Sequence, residues 1–240
     1  MTFLEIAFIS LTVVTTAFLL FIGNRAIESS EVNIFRNKLI LVVALVGWNV
    51  YILVASSFKS LQSYDFPPRF ALAFIIPSFI FTGVFLYLNR NKPWVLQIPK
   101  HWLIYFQSFR ILVETLFVFG LVAGVFNREV TIEGYNFDMI FAISAPFIGY
   151  FGYQKRLLPN RLWNLLGLVV LASVIVAFLI SIYAPEIFGG TGPLLPLKAM
   201  TYPYVLIAGF LMPTAVFLHV LSIIQLRKQL NLESRKTTHE

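Results

Sequence analysis

Gln107, Arg110 and Glu114 interrupt an otherwise apolar run from His101 to Val125. Their i, i+3 and i+7 spacing puts all three on one face of a helix. A guanidinium and a carboxylate on such a face have three kinds of chemistry open to them. They can hold an anion or an internal ion pair, carry a proton, or act as acid and base while the cation stabilises developing negative charge. Placed in a bilayer, the pair cannot face lipid: a charge near the centre costs from ~2.5 kcal/mol upward, so it must face protein or water and have partners. Counting from His101 at ~1.5 Å per residue, Arg110 lies roughly 13 Å inside and Glu114 about 6 Å deeper. The plainest arrangement is an Arg110–Glu114 pair within the helix, which locks packing and does nothing more.

His219 lies eight residues before Arg227, hence ~12 Å from the same boundary and level with Arg110. The expectation is a bundle in which His219 comes within one or two shells of Arg110. Pro213, six residues earlier, removes a backbone donor and frees carbonyls around Gly209. Asn49, Tyr150 and Asn164 complete the candidate ligand-binding set with Arg110, Glu114, His219 and Gln107, and Thr82 is a further polar group in an apolar run. Residues of these types also serve as plain interhelical hydrogen-bonding groups. Asp138, beside Asn136 at the start of another apolar run, reads as a helix N-cap on the outer side.

Several familiar sites lack their parts. No lysine lies between Tyr202 and Gln225 to form a retinal Schiff base, and no Gly-x-Ser-x-Gly elbow is present. Three histidines, His101, His219 and His239, are too dispersed for a three-histidine zinc hydrolase, and the first two differ in depth by about 10 Å, which disfavours bis-histidine haem. Zero cysteines remove disulfides, thiolate nucleophiles and cysteine metal sites. No metal site and no cofactor is assigned.

The elements that position these residues follow from composition. Hydrophobic residues make up 58% of the 240 and charged residues 12%, with a mean hydropathy of +0.81. That is an integral membrane protein, all-α, with length for about seven helices of ~20 residues and no separate soluble domain. The predicted spans are 2–23, 36–57, 69–89, 102–125, 138–154, 162–183 and 202–226, within a transmembrane domain of 1–226 and a short polar tail of 227–240. The first run lacks a basic leader and a small-residue cleavage site and reads as a retained span. The fifth is short and carries Pro146, Gly149 and Gly152. The loop from Ala184 to Thr201, rich in Gly and Pro, reads as a surface loop at the interface, with a lid over an outward cavity as the alternative.

Lys and Arg alternate between connections: 13 fall at one side (25, 36, 38, 90, 92, 100, 155, 156, 161, 227, 228, 235, 236) against Lys59, Arg69, Arg128 and Lys198 at the other. The positive-inside rule places the N-terminus outside and the C-terminus in the cytoplasm. The net charge of +7 is explained by this bias, so the expected partner is the lipid bilayer, with a small-molecule, ion or lipid ligand and no nucleic acid.

The segments IPKHWLIYFQSFRILVETL, TIEGYNFDMIFAISAPFIGYF, RLWNLLGL and GFLMPTAVFLHVLSIIQL, within residues 97–226, resemble a family of bacterial multi-pass, seven-helix membrane proteins usually labelled hypothetical. Gln107, Arg110, Glu114, Asn136, Asp138, Pro146, Asn164, Pro213 and His219 carry the resemblance. It implies a bacterial inner-membrane setting and brings no activity. The leading functional expectation is therefore a multi-pass protein binding a small molecule or ion in an intramembrane polar pocket. Arg110 would be the anion or ion-pair group, Glu114 its counter-ion or a proton carrier, His219 a titratable partner, and Asn49 and Gln107 orienting groups. Alternatives are an intramembrane enzyme acting on a lipid or quinone-like substrate, and a structural or accessory subunit.

Overall fold

A computed structural model describes residues 1–29, 33–154 and 160–237, with side chains for all of these except 153–154 and 231–237. The basic residues Lys155 and Arg156, with His239 and Glu240, lie outside the described residues.

Long apolar runs uninterrupted by polar clusters become helices because, without water, the helix satisfies its own backbone. The chain forms α1 (Phe3–Glu28), α2 (Ile34–Ala55), α3 (Ile76–Asn89), α4 (Trp94–Gln97), α5 (Lys100–Tyr105), α6 (Phe109–Val122), α7 (Asp138–Phe147), α8 (Asn160–Tyr183) and α9 (Met212–Thr237). Wide turns at Ala71–Ile75 and Ile207–Leu211 extend α3 and α9 at their N-termini, and a tight turn at Phe106–Ser108 joins α5 to α6. Among the described residues there is no strand.

Six stretches are long and apolar enough to cross a membrane: Phe3–Glu28, Ile34–Ala55, Ala71–Asn89, Lys100–Val122, Asn160–Tyr183 and Ile207–Leu230. The seventh expected span, Asp138–Gly152, is shorter and at ~1.5 Å per residue covers roughly 22 Å. Burial separates the helices. Within the apolar window of Ile207–Leu230, 72% of residues are buried, against 11% for Ile34–Ala55, so α9 is the bundle's axis and α2 its rim. The α9 helix packs on α3, α5 and α8, and α1 packs on α2 and α6. Leu39, Ile40, Val43, Val50 and Val54 of α2 are exposed. An apolar face of that size, untenable in water, suits a lipid surface.

Pro213 cannot donate a backbone hydrogen bond, and the Gly209 carbonyl four residues before it accepts instead from Trp48 Nε1 at 2.9 Å. This ties α2 to the axis. At one end of the bundle Gln225 donates to the Val95 and Ile98 carbonyls at 2.6 and 2.9 Å, and Lys228 to the Lys92 carbonyl at 2.9 Å, which fastens the α3–α5 connection to the end of α9. At the other end Tyr64 donates to the Leu195 carbonyl at 2.7 Å, and Leu195 is 1% exposed. The loop after α8 is thus pinned to the loop after α2. Burial pushes the Tyr64 phenol above its ordinary value, partly offset by a backbone hydrogen bond from Leu197.

The connection from α6 to α7 positions the site. Gly124, at φ +65°, ends α6 in a left-handed turn that a side chain would strain. The chain then folds back into the protein: Val125, Val130 and Thr131 are fully buried and Asn136 nearly so. Because Asn136 reaches Glu114, eight residues before the end of α6, the connection returns by about 12 Å along that helix. Non-helical backbone at such depth is tolerated only where protein surrounds it. Here Asn127 donates to Ser181 of α8 at 2.9 Å, and Asn136 donates to the Val130 carbonyl at 3.1 Å.

Candidate functional site

Arg110 is the hub. Its side chain is 2% exposed, and Nη1 lies 3.0 Å from His219 Nε2. A guanidinium only donates, so Nε2 accepts and the ring proton sits on Nδ1. That nitrogen faces Asn164 Oδ1 at 2.9 Å, an acceptor suited to it. Asn164 in turn donates to Ser222 Oγ at 3.1 Å and to the Asn160 carbonyl at 2.8 Å. The chain Arg110–His219–Asn164 thereby links α6, α9 and α8. The space is tight: a Cβ on Gly167 would stand 2.5 Å from His219 Cε1, and the Trp163 ring lies 5.1 Å from the imidazole, centre to centre.

On its other side Arg110 Nε lies 3.2 Å from Asp138 Oδ2. The distance is that of an ion pair, but the angle falls short of a hydrogen bond, which leaves Arg110 Nε and Nη2 and Asp138 Oδ1 as buried polar atoms with no hydrogen-bond partner. This corrects two expectations. The ion pair joins Arg110 to Asp138 of α7 rather than to Glu114 four residues along α6, and Asp138 is a 3%-exposed counter-ion rather than a helix cap. The N-cap position is Phe137, and Asn136 before it accepts at Oδ1 from the Asp138 N–H at 3.0 Å. The same amide donates through Nδ2 to Glu114 Oε2 at 2.8 Å. Asn136 thus ties the backbone at the start of α7 to Glu114 of α6.

Gln107, in the tight turn before α6, donates to the Ala215 carbonyl at 3.0 Å, one turn before His219, and its Oε1 is buried without a partner. Two candidate residues lie apart from the network. Asn49 is half-buried on α2, donating to the Leu45 carbonyl at 2.9 Å and reaching Thr16 of α1 at 3.5 Å. Tyr150 is 42% exposed, edge-on to Phe151. Residue type does not fix direction around a helix: Asn49 turns to α1 and Tyr150 lies against Phe151.

Of the site's members, the ion-pair role of Asp138 and the bridging role of Asn136 escaped sequence reasoning. Both depend on the connection re-entering the bundle. The signal available was the apolar content of the connection, with Val125, Phe126 and Val130 set among its polar residues. Chemically the site offers one guanidinium, two carboxylates, one imidazole and several amides, none of the titratable groups more than 3% exposed. Among the described residues, no three His, Asp or Glu side chains converge as a metal-ion ligand set. No protein-family model, curated protein or solved structure matches the chain.

Proposed function

We propose that the chain is a seven-pass protein of the bacterial inner membrane that binds a proton in a closed polar site at the centre of its bundle, with Glu114 as the proton-binding group. The observation that carries this reading is the charge balance: two buried carboxylates face one guanidinium. A medium that penalises charge demands a counter-charge for the second carboxylate. Asp138 stands against Arg110, whereas Glu114 receives a neutral amide from Asn136, so Glu114 is the one left to be balanced. Arg110 then holds Asp138 in place, and the Nδ1-protonated imidazole orients Arg110.

The topology completes the proposal. Asp138–Gly152 is short for a ~30 Å core, but it begins about 12 Å inside the protein, so its 22 Å or so suffice to complete a crossing that the re-entrant connection starts. Seven crossings keep 13 basic residues on the side of the C-terminus, which places the N-terminus outside. The bacterial setting follows the resemblance of residues 97–226.

A second reading, that these groups only lock helix packing, is favoured by how closed the site is, and one experiment separates the two. Infrared spectra of the full chain in lipid bilayers should contain the carbonyl stretch of a buried carboxylic acid, shifted in D2O and lost in Glu114→Gln. A band that survives Glu114→Gln, or none at all, overturns the assignment; a band that D2O never shifts supports the packing role.

A further inference from the structure

A second feature lies on the lipid side of the bundle, away from the Arg110 network. Between α3 and α9 runs a groove of about 390 Å³. Val216, Val220 and Ile224 of α9, at i, i+4 and i+8, form one wall, and Gly83 and Leu86 of α3 form the other. The α9 stripe alone is about 12 Å long. Gly83 faces open space, since a Cβ there would meet nothing within 4 Å, so a longer side chain at this position has room to project. At the end where Lys92 and Lys228 gather, the groove finishes at Tyr87 and Arg90, and the Arg90 guanidinium is held 3.8 Å above the centre of the Tyr87 ring. Arg90 stays exposed there.

An apolar trough with a stacked guanidinium at one end has the amphipathic profile of a single lipid molecule. The trough walls are no more apolar than neighbouring lipid tails, so burial of a chain supplies no preference among lipids. Preference must come from the charge at the end of the groove. Arginine presents a planar fork of donors that matches phosphate oxygens, and its stacking on Tyr87 fixes its direction.

We propose that this groove is a binding site for an anionic phospholipid, one acyl chain lying between α3 and α9 and the headgroup phosphate against Arg90. The placement also connects the lipid to α9, the helix that carries His219.

The test uses the full chain purified in detergent, with retention of phosphatidylglycerol and phosphatidylcholine of identical chains measured by native mass spectrometry. Phosphatidylglycerol should be retained roughly fivefold better, the weight of one basic side chain at an anionic surface. Arg90→Gln should abolish that preference. Gly83→Leu, which adds a side chain in open space and replaces a weak helix former, should reduce retention of both lipids while leaving the thermal transition in place. Equal retention of the two lipids by the native chain overturns the proposal. So does a preference that persists in Arg90→Gln, and so does unchanged retention in Gly83→Leu.

Discussion

Replacing Asp138 by Asn should be far more damaging than replacing Glu114 by Gln, although each exchange turns a buried carboxyl group into an amide and keeps the side chain's shape. Asp138 Oδ2 stands 3.2 Å from Arg110 Nε. At an effective dielectric of ~20, Coulomb's law gives about 5 kcal/mol for unit charges at that separation. Arginine does not escape by losing its proton, so the asparagine variant leaves a buried cation facing an amide. Breaking a buried pair on one side costs ~3–5 kcal/mol in comparable cases, and that is the loss expected for Asp138→Asn. In Glu114→Gln the Asn136 amide still finds a carbonyl oxygen, so the change amounts to one hydrogen bond, about 0.5–1.5 kcal/mol. Adding Arg110→Met to Asp138→Asn removes the stranded charge and should recover most of the loss, a coupling that a double-mutant cycle measures directly. The assay is reversible unfolding of the purified chain in mixed micelles, driven by a denaturing detergent. Equal losses for the two single variants, or a larger one for Glu114→Gln, would refute Asp138 as the counter-ion of Arg110.

Gly167→Ala pushes a methyl into the His219 ring and should cost ~1–3 kcal/mol by overpacking, read from the same unfolding curves, while Gly47→Ala, facing open space, should cost nothing. Trp48→Phe orphans the Gly209 carbonyl and should cost ~1–3 kcal/mol, part of which Pro213→Ala restores by returning a backbone N–H; absence of that rescue would remove the proposed link between Pro213 and Trp48. Because the Tyr64 phenol is raised in the folded protein, its contribution is complete below the unfolded value near 10 and is lost as pH rises through the folded value. Stability should therefore fall more steeply above pH ~10 in the native chain than in Tyr64→Phe. A reporter fused after Glu240 should behave as cytoplasmic and one inserted between Gly189 and Pro196 as external; the reverse pattern would reject the orientation.

The helices and the polar stripe were legible because both are one-dimensional. Apolar run length gives spans, and the i, i+3, i+7 spacing of Gln107, Arg110 and Glu114 gives a shared face. Counting rise from two helix ends set Arg110 and His219 at one depth, and the 3.0 Å contact between them follows that arithmetic. The rest is three-dimensional. Asp138 sits at a helix start, where a carboxylate ordinarily caps, and the apolar residues of the preceding connection indicate burial without naming Arg110 as the group that Asp138 meets. Asn49 is a polar residue in an apolar run like the site's members, yet it lies on the rim helix and turns toward Thr16. Pro213 is intermediate: its missing donor is readable from the residue type, but the identity of the donor that replaces it, Trp48, required the packing of α2 on α9.

The contact between Arg110 and His219 fixes the position of one proton in the site. With the guanidinium donating to Nε2 and Asn164 accepting from Nδ1, His219 must be the Nδ1-protonated tautomer. Solid-state nitrogen NMR of histidine-labelled protein in bilayers reads this directly, since His219→Gln identifies its signal against His101 and His239. The Arg110–His219–Asn164 geometry requires one protonated Nδ1 and one unprotonated, hydrogen-bond-accepting Nε2, with the Nε2 signal shifting in Arg110→Met. A proton on Nε2 in the native chain, or a His219 spectrum indifferent to Arg110→Met, would contradict it.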